Sequence, residues 1–243
     1  MCTRVAQETL ALRYLGSIPR LPHSISNDPA ALSLRYAPEG GRRSVHITDD
    51  RARAFVSIGF FGPNKWGDQV PGVNPLHDAR ALTLLDAVIN NRLYLELREK
   101  RGLLYSCGFE MDMPTHLASG FCLVGLAPLV DKIDETIECA LEQLRSIKAK
   151  RISQAELDEA KKPLVEFKRT QLHENTSWLY LLQLTQRQPY GFALMHEIPE
   201  YYEALTLEDL YDVVDRHIHL DRLWIGVGTS APDTPSTSDA ANK

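Results

Sequence analysis

Three places in this sequence hold side chains whose types and spacing suggest metal chemistry. His173-Glu174 and His196-Glu197 each begin like the His-Glu pair of a zinc-binding helix, where a second His one turn later completes two ligands and the Glu serves as base. Neither has that second His at the required position, so both read as ordinary polar residues of a helix or loop. His217-Ile218-His219 sets two imidazoles on one side of an extended chain. No third ligand stands at a telling spacing, and a solvated strand edge or helix end is the plainer reading. A catalytic zinc takes three protein ligands and keeps one position for water. With neither HxxEH nor HExxH in the sequence, the chain has no hydrolytic metal machinery of its own. Cys2, Cys107, Cys122 and Cys139 are scattered without a CxxC pair, which indicates neither a zinc knuckle nor a disulfide framework. They read as reduced, partly buried thiols, as suits a reducing compartment.

The elements that position these groups follow from periodicity and punctuation. The 243 residues are 44% hydrophobic and 24% charged, enough apolar content for a core. A net charge of -5 argues against nucleic-acid binding. The first residues predict a short amphipathic helix with Val5, Leu12 and Leu15 on one face, stopped by Gly16 and Pro19. Residues 19–45, rich in Pro, Ser, Asn and Gly, read as a linker ending in a short β-like piece, Ser44 to Ile47. Residues 52–62 read as a strand. A long helix is predicted from His77 or Asp78 to about Arg101, with an apolar stripe of Leu82, Leu85, Val88, Ile89, Leu93 and Leu97 and with Gly102 as its cap. Strands follow over 103–111 and 119–126, then a helix carrying Ile133, Ile137, Leu141, Leu144 and Ile147. Ser153 with Glu156 forms a capping box that opens another helix, which Pro163 kinks or restarts. Helix is expected again over 177–188 and from Thr206 to about His217, then a strand over 222–228 and a polar, disordered tail over 230–243.

Strand, long helix, two strands, clustered helices and a strand make an α+β layer fold, with helices on one face of a largely antiparallel sheet. A doubly wound dinucleotide fold is disfavoured, since no GxGxxG follows the first strand. Trp178, Tyr180 and Phe167 either line a peptide-binding wall or belong to the core. Phe60, Phe61 and Trp66 offer an apolar patch for a partner domain. The pairs Arg42-Arg43 and Lys161-Lys162 read as solvated surface.

Residues 91–106, NRLYLELREKRGLLYS, closely resemble the "RL...LREK.GL.YS" signature of the C-terminal domains of M16 (insulinase/pitrilysin-like) zinc metallopeptidases. Residues 11–19 resemble the helix that closes the preceding M16 half-domain, and Phe60-Phe61-Gly62-Pro63 stands where the first core strand of the next half should end. The resemblance spans approximately residues 1–229. It leans toward the PqqL-like branch that includes stromal processing peptidases, where residues 175–182 also have a counterpart.

The resemblance implies an M16 half-domain fold (LuxS/MPP-like), with residues 1–18 left from a preceding half-domain, 46–229 the C-terminal-type domain, and a longer parent polypeptide. It also implies two functional residues seven apart, Arg98 near the end of the long helix and Tyr105 in the strand after the turn. A guanidinium can hold a peptide carbonyl through its fork of donors, and a phenol can donate a hydrogen bond to an oxyanion. Both would act in substrate binding and catalysis within a chamber completed by an HxxEH-bearing half, in the same polypeptide or a separate subunit. Zinc is expected in that half and no cofactor in this one. Peptide is the expected substrate, with no nucleic-acid or membrane partner. Other readings stay open. Residues 96–101 also describe an exposed helix end favoured by the macrodipole, and Tyr105 alternates with Cys107 and Phe109 as sheet core would. A non-catalytic M16-like scaffold subunit and a peptide-binding module are the alternative functions.

Overall fold

The computed structural model describes residues 4–17, 19, 40–65, 74–114, 117, 119–186 and 191–231. The chain divides into two units, residues 1–32 and 33–243. The first holds helix α1 (Arg4–Tyr14), closed by the Leu15 and Gly16 amides donating to the Ala11 carbonyl.

The second unit is built on a five-stranded sheet of β1 (Gly41–Thr48), β2 (Arg53–Pro63), β3 (Leu104–Asp112), β4 (Ser119–Pro128) and β5 (Trp224–Ala231). The strand order is β1-β5-β2-β4-β3, and every pairing is antiparallel except β1 with β5. β1 takes in residues 41–45, whose composition reads as loop. Every residue of this edge strand is exposed, so no apolar alternation marks it. β2 and β4 alternate as half-covered strands do: Val56, Ile58 and Phe60 are buried beside Cys122, Val124 and Leu126. Phe60 therefore belongs to the core. Phe61 faces the other way against Trp224, ring centroids 4.9 Å apart, and Trp66 lies outside the described residues.

The covered face carries α2 (His77–Leu93), α3 (Ile133–Lys148) and α8 (Leu207–His217), with α4 (Gln154–Gln171) stacked against α2. Helix α5 (Asn175–Thr185) and the short helices α6 (Phe192–Met195) and α7 (Pro199–Glu203) complete the unit. The α+β layer architecture holds. The capping box expected at Ser153 is present and Thr206 forms another: the Ser153 hydroxyl accepts from the Glu156 amide and the Thr206 hydroxyl from the Asp209 amide, and each carboxylate reaches back to its cap residue's N–H. Pro163 sits inside α4 without ending it. The region expected to be helical over 177–188 forms α5, and residues 187–190 lie outside the described set. So do residues 232–243, on which most of the disordered-tail expectation falls; β5 itself runs to Ala231.

Ion pairs fasten α2 to its neighbours. Asp78, in its first turn, meets Arg216 and His217 of α8: Arg216 Nη2 lies 2.9 Å from Asp78 Oδ1, and His217 Nε2 lies 3.1 Å from Oδ2. His217 is buried, so the expectation of a solvated His217-Ile218-His219 pair is corrected. Its imidazole is committed to Asp78 while His219 is exposed, and the two rings do not converge. These hydrogen bonds and charges hold the Asp78 carboxyl far below its ordinary range, outweighing burial. At the other end of α2, Arg92 Nε donates to Glu156 Oε1 at 2.8 Å and Nη2 to the Arg151 carbonyl at 2.7 Å. Lys161, expected on solvated surface, donates to the Glu203 carbonyl at 3.0 Å and to that of Leu205, anchoring the end of α7.

The joint between α2 and β3 is the most specific. β3 is an edge strand, whose outward amides and carbonyls would otherwise lack strand partners. The Asn90 side chain supplies both halves of a strand bond: Nδ2 donates to the Phe109 carbonyl at 2.8 Å, and Oδ1 accepts from the Phe109 amide at 2.7 Å. Phe109 and the facing stretch of α2 are buried, so Asn90→Ala orphans two backbone groups. Urea unfolding should show a loss of about 2–4 kcal/mol, against about 0.5 kcal/mol or less for the control Leu95→Ala on the exposed side of the same helical segment. Unfolding curves for Asn90→Ala that superimpose on those of the parent protein would refute the role given to this amide.

Candidate functional site

Arg98 and Tyr105 flank the turn that joins this helix to β3. After Leu93 the helix widens into a π-helical segment, Tyr94–Lys100. It closes with nested bonds, Leu103 N–H to the Leu97 carbonyl at 2.9 Å and Gly102 N–H to the Arg98 carbonyl at 3.1 Å. This is a Schellman-type ending one residue wider than usual. Gly102 has φ +60°, the left-handed conformation that glycine adopts without penalty, as its predicted cap role requires. Leu103 is buried, and its carbonyl accepts from the Leu129 amide at 3.0 Å, so the turn is pinned from both sides.

Within that frame Leu97 points into the core and Arg98 out of it. The Arg98 guanidinium lies 5.2 Å from the centre of the Tyr94 ring, and its charge also acts on the half-buried Cys107 thiol of β3, opposing the upward push of burial. Tyr105 is 70% exposed. The cause is a β-bulge: Leu104 pairs with Pro128 and Ser106 with Ala127, leaving Tyr105 as the extra residue. The bulge breaks the alternation that made Tyr105 look like sheet core with Cys107 and Phe109, of which Phe109 alone is fully covered. Among the described residues, neither the Arg98 guanidinium nor the Tyr105 hydroxyl has a hydrogen-bond or ion-pair partner. A guanidinium and a phenol are thus presented to solvent by consecutive elements.

A buried carboxylate lies farther along the joint between α2 and β3. Asp86 of α2 accepts from Asn90 Nδ2 at 3.2 Å and from the Met111 amide of β3. Burial drives its pKa up to about 6, with Glu110 adding to the rise. Deeper in the sheet, burial and the Asp86 charge push the Cys122 thiol up to about 12.

A second concavity was not legible in the sequence. Between α2, the end of α4, α5 and the loop following α6 lies a cavity of about 580 Å³. Its floor carries a buried charge cluster. Arg80, 3% exposed, donates from Nε to Glu197 Oε1 at 3.3 Å and from Nη2 to the Leu194 carbonyl at 3.0 Å, and it stacks 3.8 Å from the Tyr201 ring centre. The Tyr202 hydroxyl donates to the other Glu197 oxygen, and Lys168 Nζ approaches that oxygen to 3.9 Å. Burial pulls the Lys168 ammonium below its ordinary range, Lys65 and Arg80 add to the fall, and Glu197 opposes it. Trp178 and Tyr180 line this cavity; Phe167 does not and is exposed. His196 and Glu197, read as ordinary polar residues, line it too. No spacing signalled this, because the cluster joins α2, α4, α7 and the preceding loop, segments far apart in sequence.

Among the described residues, no group of three or more His, Cys, Asp or Glu side chains could hold a metal ion, and no helix is long and apolar enough to cross a membrane. The donor set of a catalytic zinc is therefore not assembled there. Residues 4–164 match the family described as the peptidase M16 inactive domain. The chain belongs to that family. It is 24% identical over 249 residues to the chloroplastic stromal processing peptidase of Arabidopsis thaliana, covering 84% of this chain and 19% of that protein. Against the same peptidase of Pisum sativum it is 26% identical over 264 residues, covering 92% and 21%. The chain thus spans about a fifth of the length of these relatives. Among solved structures, the periplasmic protease PqqL of Escherichia coli superposes with a TM-score of 0.70 at 20% identity, over 94% of this chain and 24% of that one. An M16 inactive domain from Pseudomonas fluorescens gives 0.68 at 18% identity, over 96% and 53%. The fold is that of the C-terminal halves of M16 proteins.

The raised pKa of Asp86 has a measurable consequence. Its folded value of about 6 exceeds the ordinary 3.8, so folding disfavours the charged form. The penalty is absent below about pH 4 and grows as pH rises through 6. Asp86→Asn keeps an oxygen acceptor for Asn90 and Met111 but cannot ionise. It should raise stability by on the order of 1–3 kcal/mol at pH 8 and change it little at pH 4. Chemical unfolding at the two pH values tests this, and an equal effect at both would sink it.

Proposed function

We propose that this M16 chain is the zinc-free C-terminal part of a metalloendopeptidase, acting on peptides in a chamber that an HxxEH-bearing half completes. Arg98 and Tyr105 are its contribution to the reaction. The exposed Arg98 fork binds the backbone carbonyl of a peptide. The Tyr105 hydroxyl donates a hydrogen bond to the oxygen that gains charge as the carbonyl carbon is attacked. Donors fixed in advance stabilise that charge without reorganising when it appears. Zinc, with the water it activates, belongs to the complementary half, as does the proton transfer to the leaving amine.

The observation carrying this proposal is the bulge that turns Tyr105 out of the sheet, one tight turn after an exposed Arg98, with both polar groups unengaged among the described residues. The match to the M16 inactive domain and the likeness to stromal processing peptidases support the substrate class.

The test is hydrolysis of a quenched fluorescent peptide by this chain, by an HxxEH-containing M16 half from the same source with zinc supplied, and by the two together. Cleavage is expected only in the mixture. Tyr105→Phe, which removes one hydroxyl, should lower kcat on the order of 100-fold, and Arg98→Ala should act chiefly on KM. Cleavage by this chain alone would overturn the zinc-free assignment. Full activity in both variants would remove the two residues from the reaction. Complex formation without cleavage would indicate an assembly subunit.

A further inference from the structure

The cavity between α2, α4 and α5 is separate in its residues from Arg98 and Tyr105, and its chemistry is one-sided. Its apolar wall is formed by Met111, Met113, Leu181, Leu184 and Trp178. Three cationic side chains, Lys65, Arg80 and Lys168, line it against two carboxylates, Glu174 and Glu197. Glu174 stands exposed at the rim. At the floor, then, one carboxylate, Glu197, faces two cations. Arg80 takes its share through a hydrogen bond, whereas Lys168 Nζ stays 3.9 Å away. The Lys168 side chain is 14% exposed, yet none of its three donors is hydrogen-bonded to a described residue. Burying a cation with its donors unfilled is costly unless an anion completes its shell.

The aromatic side of the cavity is held in place. His196 belongs to the lining, though its Nε2 is buried from the cavity as it is from solvent. Its ring is held by neighbours, 5.1 Å between centroids from Trp178 and 5.3 Å from Phe192, and Trp178 is itself fixed by donating from Nε1 to the Leu172 carbonyl at 2.8 Å. The cavity volume also falls within the range of about 300–1,000 Å³ that small-molecule sites occupy.

We infer that this cavity is a binding site for an apolar monocarboxylate: an aromatic or aliphatic body packs against Trp178 and the methionine and leucine wall, and its carboxylate pairs with Lys168. Two sources offer this chemistry, the C-terminal residue of a peptide and a free organic acid. The inference does not rest on the proposed peptidase role. Binding to the isolated chain and hydrolysis by the paired halves are measured separately, so either can fail without the other.

Calorimetric titration of the full chain with three probes tests it: N-acetylphenylalanine, N-acetylphenylalanine amide and octanoate. N-acetylphenylalanine should bind at least tenfold more tightly than its amide. Lys168→Met, which keeps the length and apolar stem of the side chain, should abolish that preference while leaving the amide's affinity within about twofold. Lys168→Arg should retain the preference, and Leu184→Trp, which fills the cavity, should remove binding of all three probes. Thermal melts of each variant establish that it is folded. Tighter binding of N-acetylphenylalanine than octanoate names a peptide end as the source, and the reverse order names a free acid. Equal affinity for acid and amide, a preference surviving in Lys168→Met, or no saturable binding at millimolar probe would each overturn the inference.

Discussion

One side-chain amide sets the geometry on which the rest of this domain depends. Asn90 bonds to both polar groups of Phe109 and so takes the place of a missing strand at the sheet edge. A helix packed on a sheet by apolar contacts alone can slide, because burial is non-directional. Two hydrogen bonds to a single residue remove that freedom. With α2 locked to β3 at this point, the helix can end, turn and re-enter the sheet in only one frame. Arg98 lies two turns beyond the lock on the helical side, and Tyr105 four residues before it on the strand.

The same helix collects the buried charge of the domain. Asp78, Arg80 and Arg92 each leave α2 to meet a partner on another helix or the loop beside it: Arg216 and His217, Glu197, and Glu156. Pairs of this kind are weak evidence for net stability, since desolvation offsets much of the attraction. Their effect here is positional. Each admits one rotation of α2 about its axis, and together with Asn90 they leave that helix no alternative seat. The carboxylates divide by environment. Asp78, surrounded by donors, ionises readily; Asp86, buried and facing Glu110, resists ionisation.

What could be read from the sequence was what local bonding decides. The long helix, its glycine cap and the Ser153 capping box are fixed by residues within a few positions of one another, so pattern and structure agree there. The layer architecture followed from the order of these elements, and the M16 signature lay within a single run of residues. Features made by distant partners were hidden. Lys161 looked like solvated charge because the carbonyls it holds belong to Glu203 and Leu205. His217 looked solvated because Asp78 lies 139 positions away. β1 shows no alternation because neither of its faces is covered. Tyr105 misled in a different way: strand periodicity assumes one residue per rung, and the bulge breaks that count. The charge cluster of the cavity gave no signal at all, being drawn from elements that meet only in the folded chain.

The widened turn over Tyr94–Lys100 holds one residue more than an ordinary helical path between the same ends would need. Each residue of an ordinary α-helix advances the chain by roughly 100° about the axis, and a π-helical stretch absorbs a residue without shifting what precedes it. Asn90 fixes the near end of this segment and Gly102, with its left-handed backbone, fixes the far end. Taking out one residue between them would let the segment relax to ordinary α-helical pitch, and the larger turn of each remaining step would make up most of the angle lost. Arg98 would keep its side of the helix. This stretch thus works as slack in the chain: one residue fewer still leaves the guanidinium facing as it does, whereas a further insertion has no narrower turn left to widen.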